Sequence, residues 1–283
     1  MADDVAYDAI VVGLGAMGSA TLAELAARGL RVVGLEAFGP GHANGSSHGR
    51  SRIIRYAYAE GATYVPLVMR AGELWRELEA ASGRRLLTVT GGLFAGPPGS
   101  WVVEGAAASA ARWGLAHERL GAAQVNARWP AFALPDGMDA VVEAGAGFLD
   151  PAACLAALVE RATAAGAEAR WGEPVTGWEA GAGAVTVDTA VGSYEAAALV
   201  VTAGPWAGRL LAALGLPLQV LRVVTADLAG PGGSGPVFLL EVAEGELYGV
   251  PEAPGRAAPP LNPAGAPSAR QQAAPSSSPV SGS

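Results

Sequence analysis

Three glycines, Gly13, Gly15 and Gly18, and an acid, Glu36, 18 residues beyond the third, make the most chemically specific pattern in the sequence. The spacing G-x-G-x-x-G is weak alone in a chain with 40 glycines, because a Gly-rich turn without a ligand also produces it. Its surroundings give it weight. The apolar run Asp8–Val12 precedes it, residues 16–28 read as a helix, Gly29 is placed to cap that helix, and Arg31–Leu35 is a second apolar run ending in Glu36. This is a complete βαβ unit. Its first turn suits a pyrophosphate: Gly13 permits the tight turn, Gly15 lets backbone approach the ligand, and Gly18 lets helix and strand pack closely. Leu14, Ala16 and Met17 belong to the same turn, where the amides and the positive end of the helix dipole favour an anion. Glu36, with Ala37 beside it, can accept hydrogen bonds from ribose hydroxyls. FAD and NAD share the ADP half and both satisfy the pattern, whereas Glu36 would repel the extra phosphate of NADP.

Other chemistries are excluded by what the chain lacks. All 18 basic residues are arginine, so no Schiff base or lysine ammonium is available. The single cysteine, Cys154, rules out a disulfide framework, and three histidines (His42, His48, His117) supply a zinc or iron centre poorly. A net charge of −8 argues against nucleic acid or an anionic membrane as partner. The start, Met1-Ala-Asp-Asp, lacks the basic residues of a signal peptide, and the longest uncharged stretch, 86–103, is broken by six Gly and Pro residues. A cytoplasmic protein is expected. With 51% hydrophobic and 16% charged residues, the chain has material for a sizeable core.

The elements that must position the glycine turn follow from periodicity. Residues 37–52 form a long polar loop carrying Arg50 and Arg52 near two histidines. Leu67, Ala71, Leu74, Trp75 and Leu78 predict an amphipathic helix over 64–81. Strand is expected over 86–95, helix over 102–116, and a turn at Trp129-Pro130. Asp150 and Pro151 are an N-cap and first helical position for a helix running to about Ala165. A β-meander is expected at 168–171, 174–179, 184–189 and 193–197, then a buried strand at 199–202, a helix opened by Ala203-Gly204-Pro205-Trp206, and strands over 218–229 and 237–250. From Pro251 onward 25 of 33 residues are Pro, Gly, Ser or Ala, which predicts a disordered tail over 251–283.

One long segment, His42-Ala-Asn-Gly-Ser-Ser-His-Gly-Arg-Ser-Arg-Ile-Ile-Arg-Tyr-Ala-Tyr58, followed by Tyr64-Val-Pro-Leu67 and Glu73-Leu-Trp75, resembles the monomeric sarcosine oxidase and N-methyltryptophan oxidase family, FAD-dependent enzymes of the D-amino-acid-oxidase type. The resemblance continues in order through Arg128-Trp-Pro130, Gly147-Phe-Leu149, Gly192-Ser-Tyr194, Ala203-Gly-Pro-Trp206, Arg222-Val-Val224 and Tyr248-Gly-Val-Pro251. It implies an α/β, Rossmann-like FAD-binding domain (1–85 and 146–217) interleaved with an α+β, antiparallel-sheet substrate domain (86–145 and 218–250). It implies FAD as cofactor, contacted by Ser46, Ser47 and His48, with Val175 at the adenine and Gly204 of the Ala203-Gly-Pro-Trp206 motif also binding the cofactor. Ser51 would stand near the flavin ring. Arg52 would hold the substrate carboxylate, a bidentate pairing that a guanidinium makes well, and its charge would stabilise reduced flavin. Tyr248 would face the substrate, and His48 is included among the catalytic candidates. The implied reaction is oxidation of the C–N bond of a secondary, N-methyl amino acid, with O2 as acceptor and H2O2 as product, by a monomer.

The chains of that family run on past the Tyr-Gly-x-Pro strand, and they carry a lysine near the flavin and a flavin-linking cysteine that have no counterpart here. Cys154 stands elsewhere and reads as a buried thiol. Both domains are therefore expected to be incomplete at the C-terminus, with unpaired sheet edges, through truncation or a frame shift. Two other functions compete: an inactive remnant that keeps a nucleotide-binding fold, and an NAD-dependent dehydrogenase.

Overall fold

The computed structural model describes residues 7–221 and 235–250. The first elements are β1 (Tyr7–Val12), α1 (Ala16–Ala27), β2 (Val32–Glu36), β3 (Arg52–Ile54), α2 (Val65–Ser82), β4 (Leu87–Val89) and β5 (Gly92–Gly96). The middle of the chain forms α3 (Trp101–Trp113), β6 (His117–Gly121), α4 (Ala122–Arg128), β7 (Asp139–Glu143), β8 (Gly147–Leu149) and α5 (Pro151–Ala164). Then come β9 (Glu168–Trp171), β10 (Val175–Ala180), β11 (Val185–Thr189), β12 (Ser193–Val201), α6 (Ala207–Leu210), β13 (Val237–Val242) and β14 (Gly245–Gly249). These residues divide into two compact units.

The first unit takes residues 7–51, 76–86 and 150–221 of those described. Its sheet runs β10-β11-β12-β1-β2-β9, parallel from β12 through β1 and β2 to β9 and antiparallel over β10-β11-β12. Strands buried on both faces need no polar alternation, which is why β2 reads Val-Val-Gly-Leu-Glu and is buried throughout. Ile10, Val12, Val33 and Leu35 form a core with Val185, Val187 and Ala196. Helix α1 buries Leu22, Ala23 and Ala26 and packs against α5; Gly29, at φ +80°, takes the left-handed position beyond its end. At the start of α5 the Asp150 carboxylate accepts the Ala153 amide at 3.2 Å, as its N-cap position predicts.

Several expectations for this unit change. Residues 168–171 do not join the meander: β9 pairs in parallel with β2, because a Gly172 turn at φ +71° separates it from β10. Residues 193–197 and 199–202 are not two strands but one, β12, which pairs with β11 over Ser193–Ala196 and with β1 from Ala196 to Val201. The helix opened by Gly204 is a 3₁₀ turn, Gly204–Trp206, leading into the short α6. Residues 218–221 form no strand; the rest of that expected strand, the segment Arg222-Val-Val224 and the tail 251–283 lie outside the described residues.

The second unit takes residues 52–75, 87–149 and 235–250. Residues 52–75, expected with the first domain, belong here because β3 pairs with β8, which also pairs with β4. The larger sheet, β14-β13-β5-β7-β6, is mixed rather than purely antiparallel, since β13 runs parallel to β5. The expected strand 86–95 splits into β4 and β5 at Gly91, φ +79°. Helix α3 lies on β5 and β7, burying Val102, Val103 and Ala106 against Phe94 and Val141. Gly105 allows a close approach there, because a Cβ would strike the Ala59 carbonyl. In α2 the predicted apolar stripe is only partly inward: Leu78 is buried, whereas Leu67 is exposed.

Candidate functional site

The glycine turn between β1 and α1 has the geometry its spacing predicts. Gly13 adopts φ +91°, and a Cβ on it would stand 2.6 Å from the Thr202 carbonyl oxygen. At Gly18 a Cβ would overlap the carbonyl oxygen of Gly13, so only glycine lets α1 approach the strand. Gly15 is the N-cap of α1 and offers no side-chain cap; a Cβ there would meet the Ser47 side chain, whose Oγ would stand 3.1 Å away. The Ala16 amide donates to that same Ser47 Oγ at 3.0 Å, which brings the polar loop 37–51 onto the helix start. Met17, in the first turn, is exposed, and Leu14 is buried.

Glu36 closes the other side. Its carboxylate is buried, accepts the Leu14 amide at Oε2 (2.8 Å) and the Phe38 amide at Oε1 (3.2 Å), and lies 3.4 Å from His42 Nε2. The acid at the end of β2 is thus held against the glycine turn. Ala37 beside it is exposed. The Phe38 ring packs at 4.8 Å from His42 and 5.5 Å from Trp206, next to the Gly204 turn at φ +51°. Val175 opens β10 directly after the Gly172–Pro174 connection, whose Glu173 amide donates to the Glu36 carbonyl at 2.9 Å. Ser46 and His48 lie exposed on the same loop as Ser47, and His48 Nδ1 contacts the Gly45 carbonyl at 2.5 Å. That contact requires the proton on Nδ1.

The remaining predicted residues stand elsewhere in the chain. Ser51 is the last residue of the first unit and is half-buried. Arg52 and Tyr248 belong to the second unit, Arg52 exposed at the start of β3 and Tyr248 58% exposed on β14 opposite Leu239. Sequence reasoning missed several polar groups. Thr202 Oγ1 lies 2.9 Å from the Val12 carbonyl and 2.7 Å from that of Gly13, pinning the turn; a polar residue directly after an apolar strand was its only signal. Glu143 ends the apolar strand β7 and is buried, accepting the amides of Tyr56 (2.8 Å) and Ala57. Burial raises its pKa above the ordinary glutamate range, outweighing those two bonds and the Arg55 charge. Arg55 lies 4.4 Å above the Tyr58 ring and pairs with Glu60 at 2.5 Å, while its Nη1 is buried with no partner.

The residues of the turn fit an ADP diphosphate. Each position where a side chain would intrude is glycine, the start of α1 carries no acid, and an acid stands at the end of β2 where a ribose would lie. Among the described residues no cluster of His, Cys, Asp and Glu could hold a metal ion, and no helix is long and apolar enough to cross a membrane.

Comparison with known proteins agrees with this cradle. The chain is 43% identical over 257 residues to a monomeric sarcosine oxidase of Streptomyces avermitilis, a match covering 88% of this chain and 67% of that protein. It is 36% identical to an N-methyl-L-tryptophan oxidase of Yersinia pestis, covering 86% of this chain and 66% of the relative. Among solved structures, NikD, an unusual amino acid oxidase essential for nikkomycin biosynthesis, superposes with a TM-score of 0.73 at 30% identity, covering 88% of this chain and 67% of NikD. The chain thus spans about two thirds of the length of these relatives. The profile of the DAO family, FAD dependent oxidoreductase, matches residues 8–258, and with the glycine cradle, the acid of β2 and these relatives in agreement, the chain belongs to that family.

Proposed function

We propose that this chain uses FAD to oxidise the C–N bond of a secondary, N-methyl amino acid such as sarcosine, with O2 as acceptor. The observation that carries the reading is the cradle itself: three glycines where side chains would intrude, closed by Glu36 on the Leu14 amide. The names of the relatives support the substrate class. When bound, FAD supplies the two-electron oxidation and passes the electrons to dioxygen. For sarcosine the balance is sarcosine, O2 and water giving glycine, formaldehyde and hydrogen peroxide.

The chain's own residues bind and orient. The first-turn amides of α1 would hold the diphosphate, with Gly15 giving it room, and Glu36 would accept from the ribose. Ser46, Ser47 and His48 would line the cofactor; Ser47 already holds the Ala16 amide, so the loop is anchored where it is needed. Val175 would border the adenine, Gly204 would line the cofactor, and Ser51 would stand near the flavin ring. Arg52 would pair with the substrate carboxylate, and Tyr248 would face the substrate. We infer that the protein acts as a monomer, as the relatives' name states of them.

Reconstitution with FAD followed by a visible spectrum tests the reading. A yellow protein that bleaches anaerobically with sarcosine and then yields peroxide in air is the expected result. Assays with N-methyltryptophan and proline rank the substrates. A protein that stays colourless after reconstitution would overturn the oxidase reading and leave an inactive nucleotide-binding fold.

A further inference from the structure

Glu173 sits in the three-residue connection between β9 and β10, nine-tenths buried, and the site described so far does not use its side chain. A buried carboxylate needs donors, and Glu173 has two: its Oε1 lies 2.9 Å from Thr189 Oγ1 and 2.8 Å from the Tyr194 hydroxyl. Thr189 ends β11 and is the register partner of Val175; Tyr194 lies at the start of β12. Burial, and then the bond to Glu173, push the Tyr194 phenol up to about 12, so it remains a donor throughout the physiological range. On its main-chain side Glu173 donates its amide to the Glu36 carbonyl at 2.9 Å, and Gly172 donates to the Phe38 carbonyl at 3.1 Å. One residue therefore ties the end of β2 to the β11–β12 hairpin, and the two candidate adenosine contacts, Glu36 and Val175, hang on either side of that tie.

We propose that Glu173 is a positioning residue for the adenosine half of the cofactor: its carboxylate, clamped by Thr189 and Tyr194, sets the spacing between the ribose acceptor Glu36 and the adenine contact Val175. The inference rests on the FAD reading above. Two hydroxyl hydrogen bonds, one from each strand of the hairpin, converge on this one oxygen and hold a connection that has no regular structure of its own.

The test titrates the full chain with FAD and, separately, with ADP, and follows each variant's fold by circular dichroism. Glu173→Leu should raise the dissociation constants of FAD and ADP alike, by about tenfold. Tyr194→Phe, which removes one donor and keeps the ring, should raise both by about threefold. Glu173→Gln, whose amide oxygen can accept the same hydroxyls, should stay within about twofold. If Glu173→Leu does not fold, Tyr194→Phe and the glutamine variant carry the comparison. Variants that bind ADP as tightly as the parent chain, or a loss for FAD that ADP does not share, overturn the proposal while the FAD reading stands. A parent chain that binds neither ligand overturns both.

Discussion

The backbone amide of Leu14 donates to Oε2 of Glu36 at 2.8 Å, so the turn that leaves β1 and the acid that ends β2 are joined by a charged hydrogen bond. This pre-sets the distance between the glycine turn and Glu36, the proposed ribose acceptor. Glu36→Ala removes the acceptor and should weaken FAD binding about ten- to hundredfold, the range of a hydrogen bond to a charged group at about 1.5–3 kcal/mol. Fluorescence titration reads it, and an unchanged dissociation constant would remove Glu36 from the site.

The glycines should separate by role. At Gly18 an added methyl overlaps the Gly13 carbonyl, a backbone atom that cannot swing away, so Gly18→Ala should destabilise the first unit by about 3 kcal/mol through overpacking. At Gly15 the neighbour is the end of a serine side chain at 3.1 Å and the backbone is in an ordinary region, φ −68°. Gly15→Ala should leave stability within about 1 kcal/mol and weaken FAD. Thermal melts with and without FAD distinguish the two; equal loss of stability in both variants would contradict the assignment.

Glu143 gives a pH dependence with a definite sign. Its pKa is raised in the fold, chiefly by burial, so the native state holds this proton more tightly than the unfolded chain does. That contribution to stability is fully present below the ordinary glutamate range and is lost as pH rises through the raised value. Denaturant midpoints measured against pH should fall across this window, and Glu143→Gln should flatten that part of the curve. Glu143→Ala should cost about 1–3 kcal/mol for each of the Tyr56 and Ala57 amides it strands. A pH profile unchanged by the glutamine substitution would show that another group titrates there.

Cys154 should be inert. Burial first, then the negative charges of Asp150 and Glu79, push its thiol up to about 12, and the thiolate is the reactive species. At pH 8 a thiol reagent should label it only as fast as the chain unfolds, and labelling in denaturant should be immediate. Rapid labelling of the native protein would place the thiol at the surface and overturn this account.

Some features are local, and these were legible. The strand–Gly-x-Gly-x-x-Gly–helix unit, Gly29 past the end of α1, and the Asp150-Pro151 helix start depend on residues within a few positions of one another, and each appears where the sequence places it. The order of motifs from His42 to Pro251 likewise belongs to the chain alone, and it points to the family whose profile matches residues 8–258.

What the sequence could not state is pairing across distance. β9 resembles the strands of the meander in composition, and only its alignment beside β2 shows that it extends the parallel sheet. Residues 52–75 read as a continuation of the first domain until β3 is seen paired with β8, almost one hundred positions away. Glu143, Glu173 and Thr202 are unremarked polar residues in the sequence; each acquires its role from a partner 16 to 190 positions distant. Short-range preference and motif spacing determined the kind of cradle this chain makes. Which buried carboxylates hold it in shape was decided by long-range packing, because a charge taken out of water is stable only where the folded chain delivers donors to it.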